Sequence, residues 1–207
     1  MQEDRYRPKR GCIQVHPRPA FQRPRTAVSA VAGLACALLV DLAAAQSSLA
    51  PSAVFVQAGT WIDTHELTAG LAWDWGRRWP LAGGQISGYW ELSMSVWSYP
   101  SMDGRREAWL GQVGAVPTFR WRPADGASPW FAELGIGASL MTTVYETRRK
   151  RFSTSFNFAD HIGVGRSFGA ASEHELSLRI EHFSNAGIKH PNPGQNFVAL
   201  RYTYRFP

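Results

Sequence analysis

The 207-residue chain has only two cysteines, Cys12 and Cys36, and none after residue 36. A disulfide framework and thiolate chemistry are thereby excluded for everything downstream. His65, His161, His174 and His190 show no metal-ligand spacing, so neither a metal nor another cofactor is expected. No segment carries a convincing helical period, and only one long apolar run is present, "AVSAVAGLACALLV". Net charge is scarce where it would matter. Of the overall +6, residues 1–45 supply +4 and the remainder only +2, so the basic pI gives no support for a nucleic-acid partner.

What the first 45 residues do contain is the pattern of an export leader. Arg18, Arg23 and Arg25 precede the apolar run, and "AAAQ" supplies small residues for cleavage after Ala45. The run is short of the roughly 20 apolar residues a spanning helix needs, and Asp41 interrupts it. Gly33 stands where lipoprotein signals have leucine, which argues against acylation at Cys36. The stretch before Arg23 is long and proline-rich for a leader, pointing to a true initiation site downstream of Met1. The expected organisation is a leader over 1–45 and a single domain over 46–207.

From Ser52 onward the period is two. In "QISGYWELSMSVW", Ile86, Gly88, Trp90, Leu92, Met94 and Val96 fall on one face; Gln85, Ser87, Tyr89, Glu91, Ser93 and Ser95 fall on the other. Leu67, Ala69, Leu71, Trp73 and Trp75 repeat the pattern, as do Leu134, Ile136, Ala138 and Leu140. Eight such segments are predicted, at about 52–62, 66–76, 84–98, 107–121, 130–143, 156–168, 174–185 and 197–206. An even number of strands joined by turn-rich links implies an all-β, eight-stranded, antiparallel up-and-down barrel. A soluble, lipocalin-like barrel would place the apolar face inside. Here the polar face is rich in Gly and Ser and carries Glu91, Glu133, Arg179 and Glu181, which suits a narrow, filled lumen. Trp73, Trp75, Trp90 and Tyr202 on the apolar face suit the aromatic girdles of a transmembrane barrel. The prediction is a multi-pass barrel in the outer membrane, surrounded by its lipids.

The last strand agrees. Val198, Leu200, Tyr202, Tyr204 and Phe206 form one apolar stripe, resembling the terminal signature of bacterial outer-membrane barrels that engages the barrel assembly machinery. Pro207 follows the aromatic that is usually terminal. With periplasmic termini, the external links are 63–65, 99–106, 144–155 and 186–196, and the periplasmic ones lie near 77–83, 122–129 and 169–173. The third external link carries Arg148, Arg149, Lys150 and Arg151. That run is either a solvated surface or a binding surface for lipopolysaccharide phosphates, with Arg105 and Arg106 as neighbours. A homodimer stays open.

One pair of residues breaks the apolar face. Leu176, Leu178, Ile180, His182 and Ser184 share it, so two polar groups point toward lipid at the outer end of the seventh strand. Polar groups in hydrocarbon are penalised, though interfacial depth softens the penalty. Spacing alone leaves two readings: an interfacial polar pair, or a nucleophile and its base. A serine nucleophile needs a base within reach, a third group to fix the base's tautomer, and donors for an oxyanion. The following loop, "NAGIKHPNPGQN", offers the Asn192 amide and the Gly187 N–H as donors. Asn196, in phase with Val198, can reach back to His182 if the hairpin pairs normally.

At these residues the sequence resembles the outer-membrane lipid A 3-O-deacylase (PagL) family. "HFSNAGIKHPNPG" is similar to that family's His-aromatic-Ser-Asn-Ala-Gly followed by Lys-x-Pro-Asn-x-Gly. Weaker similarity runs through "LAWDW", "SGYWE", "FAELGIG" and "FNFADHIGVG". The resemblance implies an eight-stranded barrel that hydrolyses the 3-position ester of lipid A in lipopolysaccharide, a serine-type esterase without a metal. It implies Ser184 as nucleophile, His182 as base, and an oxyanion site from Asn192 and the Gly187 N–H. One position departs: the family's glutamate, twelve residues after the serine, is Asn196 here. An Asn carbonyl can hold the tautomer but brings no charge. The outer-membrane phospholipase A family pairs His-x-Ser with an Asn in this role. The expected triad is His182, Ser184 and Asn196, with a Ser–His dyad, or an acid such as Asp160 in the third place, as alternatives. Outside the deacylase reading, a phospholipase and a non-enzymatic structural or adhesin-type barrel remain.

Overall fold

Strict alternation of small or polar with apolar residues forces each strand to bury one face and expose the other. The computed structural model describes residues 50–207. The leader predicted over 1–45, with Cys12, Cys36 and the cleavage site after Ala45, lies outside the described residues. The strands are β1 (Ala53–Trp61), β2 (Thr64–Asp74), β3 (Trp79–Leu81), β4 (Gly84–Pro100), β5 (Glu107–Pro123), β6 (Trp130–Met141), β7 (Phe156–Phe168), β8 (His174–Ser184) and β9 (Gln195–Arg205). All pairings are antiparallel. β1 pairs with both β2 and β9, and β2 pairs with β4, so the eight long strands close into a barrel. β3 is an addition to the predicted set: three residues of the 77–83 link pair with the start of β4. Pro80 has no N–H to donate, which confines this strand to an edge.

The polar face is inside. Six charged residues fill the middle of the lumen, almost wholly shielded from solvent. Arg179 contacts Glu91 at 3.1 Å and Glu133 at 2.6 Å. Arg201 grips both oxygens of Glu91 at 2.6 and 2.8 Å, and Arg120 joins Glu133 to Glu175. Charges this deep are tolerable only when paired and hydrogen-bonded. The Arg201 guanidinium also lies 3.7 Å from the Phe55 ring centroid. Space for these side chains comes from the strand partners. A Cβ on Gly70 would stand 2.3 Å from Phe55, and one on Gly135 would stand 2.2 Å from the His161 imidazole.

The outward face is apolar. Leu67, Leu92, Met94, Ile136, Ile162, Leu178, Ile180 and Leu200 are exposed around the waist. Trp79, Trp130, Phe168, Tyr202 and Phe206 ring the end that carries the C-terminus, and Trp61 and Trp109 mark the other. Trp75 packs edge-on against Trp90 and Phe119. This is the aliphatic band with two aromatic girdles that lipid selects. It excludes the soluble barrel, whose faces would be reversed. Most strands of 9–13 residues fit the 9–11 a tilted strand needs to cross. β4 and β5, at 17 residues each, project beyond it.

A second layer of the interior keeps the period-two phase but is aromatic instead of polar. At the end opposite the C-terminus, Trp97, Tyr99, Phe183 and Phe197 turn inward and meet Tyr145 and Phe152 from the 142–155 loop. Trp97 is fully buried, with ring centroids of Phe197 and Phe183 at 4.8 and 4.9 Å. The Tyr145 and Thr64 hydroxyls are hydrogen-bonded at 2.7 Å. This aromatic plug closes the lumen and anchors the third loop to it.

Candidate active site

The outward polar pair sits at the plugged end, which carries the loops 142–155 and 185–194. Residues 182 and 196 are direct partners in the β8–β9 ladder, as the normal hairpin register requires. His182 Nδ1 and Asn196 Oδ1 are 2.6 Å apart. A carboxamide oxygen can only accept, so Nδ1 carries the proton and Nε2 presents its lone pair. Asn196 is thereby placed to fix the imidazole tautomer, without supplying charge.

Ser184, two residues on, is the last residue of β8 and is nearly buried. Phe158 faces it across the β7–β8 ladder, giving it an apolar wall. No hydrogen bond joins Ser184 to His182 among the described residues; the serine oxygen accepts from the Ala186 N–H at 3.4 Å. In unliganded enzymes the nucleophile–base contact commonly tightens only once substrate is bound. Ala186 and Gly187 both have positive φ, 51° and 79°, so the chain turns sharply behind the serine.

The other predicted residues separate. Asn192 Oδ1 accepts from the Asn185 backbone N–H at 3.0 Å, which leaves its amide N–H groups available. The Gly187 N–H is committed, donating to Asn185 Oδ1 at 3.0 Å. Asn185 is a hub that sequence reasoning passed over. Its side-chain nitrogen donates to Ser153 Oγ, Thr154 Oγ1 and the Lys189 carbonyl at 2.9, 3.1 and 2.8 Å. The 185–194 loop is thereby stapled to the third loop.

The arginines of the basic run are exposed, and each also has a partner within the protein. Arg148 Nε donates to the Met102 carbonyl, Arg149 pairs with Asp63 at 3.7 Å, and Arg151 pairs with Glu146 at 3.3 Å. Lys150 Nζ donates to the Gly194 carbonyl at 2.9 Å and to Gln195 Oε1 at 3.1 Å. Burial against these partners pushes its ammonium below the ordinary lysine range. Arg148, Arg149 and Lys150, with Trp61, Tyr145 and Gln195, border an open cavity of about 200 Å³ at this end.

Gly194 is a further residue without an assigned role in the sequence. Its φ is +65°, and a Cβ built on it would stand 2.7 Å from His182 Cε1. The glycine lets the loop backbone lie against the imidazole. Its motif position was legible; its contact was not, because that contact exists only once β8 and β9 pair. Asp160 is the direct partner of His182 on the other side, in the β7–β8 ladder. Among the described residues, no group of three or more His, Cys, Asp or Glu could hold a metal ion.

Comparison with known proteins bears on this arrangement. Residues 65–205 match the family model described as lipid A 3-O-deacylase (PagL). A lipid A deacylase PagL of Bordetella bronchiseptica is 40% identical over 116 residues, 56% of this chain and 61% of that protein. The match thus spans less than two thirds of that relative's length. A lipid A deacylase PagL of Pseudomonas aeruginosa is 31% identical over 173 residues, covering 83% of this chain and 94% of its own. The crystal structure of the outer membrane enzyme PagL superposes with a TM-score of 0.62 at 26% identity, over 74% of this chain and 99% of that one.

Proposed function

The chain belongs to the lipid A 3-O-deacylase (PagL) family, and from that premise we propose that it is an outer-membrane esterase removing the 3-linked hydroxyacyl chain of lipid A. The observation that carries the mechanism is the 2.6 Å contact between His182 Nδ1 and Asn196 Oδ1, which aims the Nε2 lone pair away from Asn196. Ser184 Oγ attacks the ester carbonyl carbon while His182 Nε2 takes its proton. The tetrahedral oxyanion is held by the Asn192 amide and by Gly187, whose N–H must turn from Asn185 to reach it. Collapse expels the sugar hydroxyl, which recovers the proton from His182, and leaves an acyl-Ser184 ester. Water, deprotonated by His182, then releases the 3-hydroxy fatty acid.

The position favours this substrate. The nucleophile faces the bilayer at the outer end of a strand, where acyl chains lie, and the exposed arginines among Arg148, Arg149 and Arg151, with Lys150, stand near head-group phosphates. The stripe ending at Phe206 is the segment we assign to recognition by the barrel assembly machinery. The test is mass spectrometry of lipid A from cells expressing the wild type or Ser184→Ala. The wild type removes the 3-linked chain and the variant does not; equal loss in both would overturn the reading. Release of fatty acid from phosphatidylethanolamine vesicles, rather than from purified lipid A, would instead indicate a phospholipase.

A further inference from the structure

Asp160, His182 and Asn196 form one transverse row across three adjacent strands, since 160 pairs with 182 and 182 pairs with 196. Directly opposed residues have Cβ atoms roughly 4.5–5.5 Å apart, so the carboxylate lies beside the imidazole on the outward face. Asp160 and His182 are within electrostatic range of each other. Above and below Asp160 on this face of β7 are Phe158 and Ile162. Its Oδ1 is shielded from solvent and has no hydrogen-bond partner among the described residues. An acid kept on a lipid-facing surface with an unpaired oxygen needs a reason, because the penalty for it is large. The reason available here is a cation that exists only transiently: the imidazolium formed when His182 takes the serine proton.

We propose that the work of the third triad member is divided in this protein, Asn196 fixing the imidazole tautomer and Asp160 supplying the negative charge that stabilises the imidazolium. Asp160 acts through His182 and is a positioning residue, not one that touches substrate. The inference rests on the Ser184–His182 reading above. The groups facing His182 are few. β7 offers Asp160, β9 offers neutral Asn196 and Val198, its own strand offers Ile180 and Ser184, and the 185–194 loop offers Gly194. Lys150 reaches the same stretch of loop, donating to the Gly194 carbonyl at 2.9 Å.

The experiment measures kcat and KM against pH for purified protein in detergent with lipid A micelles. The variants are Asp160→Asn, Asn196→Glu, the double variant, and Ser184→Ala, with folding checked by heat-modifiable gel mobility. Asp160→Asn is expected to lower kcat by about 10- to 100-fold with KM little changed. Removing a negative charge beside the base should also move the acid limb of activity toward lower pH by about one unit. In the Asn196→Glu background the same change should alter kcat less than twofold, because a carboxylate already touches the ring. An unshifted acid limb in Asp160→Asn, or an equal loss in both backgrounds, overturns the division of roles. Should Asp160→Asn not fold, Asp160→Ser carries the same comparison. Failure of Ser184→Ala to abolish turnover overturns the serine mechanism itself. An inactive Ser184→Ala beside an unaffected Asp160→Asn overturns only the present inference.

Discussion

Gly194→Ala isolates the positioning of the histidine from everything else in the barrel. The added methyl carbon would stand 2.7 Å from His182 Cε1 and 3.3 Å from Nε2. Carbon–carbon contacts sit at about 3.5–4.0 Å, so the ring has to retreat by roughly 1 Å. Retreat in that direction breaks the alignment of Nε2 with the serine, and loosens the bond to Asn196. A displacement of about 1 Å costs on the order of 10²-fold in rate, or about 2.7 kcal/mol of barrier. The alanine also occupies a φ of +65°, a backbone penalty of roughly 1–2 kcal/mol. Gly83→Ala separates the two effects. That glycine has a φ of +68° with nothing within 4 Å of its would-be Cβ, at the opposite end of the barrel. The two variants should lose similar stability in a urea titration of the detergent-solubilised barrel. Only Gly194→Ala should lose lipid A hydrolysis, by about 100-fold in initial rate. Equal initial rates for the two variants would refute the claim that the loop backbone sets the ring.

Two further outcomes follow from the same contacts. Asn185→Ala removes the donor that holds Ser153, Thr154 and the Lys189 carbonyl, and the acceptor for Gly187. It should cut turnover by about tenfold or more while changing the unfolding midpoint little, since the barrel hydrogen bonds are untouched; initial rates alongside urea denaturation check it. Arg179→Met leaves Glu91 and Glu133 each short of a buried cation, and should destabilise the barrel by about 3–5 kcal/mol in the same titration.

The fold was legible because the signal is local. The alternation of Leu92, Met94 and Val96 with Glu91, Ser93 and Ser95 sets strand and face together, and the acids and Arg179 could be assigned to the lumen on pairing grounds alone. The pairing of 182 with 196 followed from hairpin geometry. What stayed hidden depends on contacts distant along the chain. Tyr145 and Phe152 lie in a loop with no period, and nothing local says that they fold back onto Trp97. The run from Arg148 to Arg151 looks like free charge, because its partners Asp63, Met102 and Gly194 lie elsewhere. Asp160 could be named as an acid for the third place, but its position beside His182 needs the register of β7 against β8. β3 was missed because three residues, one of them Pro80, carry too little pattern.

The row of Asp160, His182 and Asn196 has a consequence for the life of the protein before it reaches its membrane. No two of these residues are neighbours in sequence; they meet only when three strands have zipped together in one register, and a slip by a single residue would send the histidine to the opposite face. On the proposed mechanism, hydrolytic competence is withheld until β7, β8 and β9 have paired. A chain still in transit, or one mispaired, carries the serine but no working site.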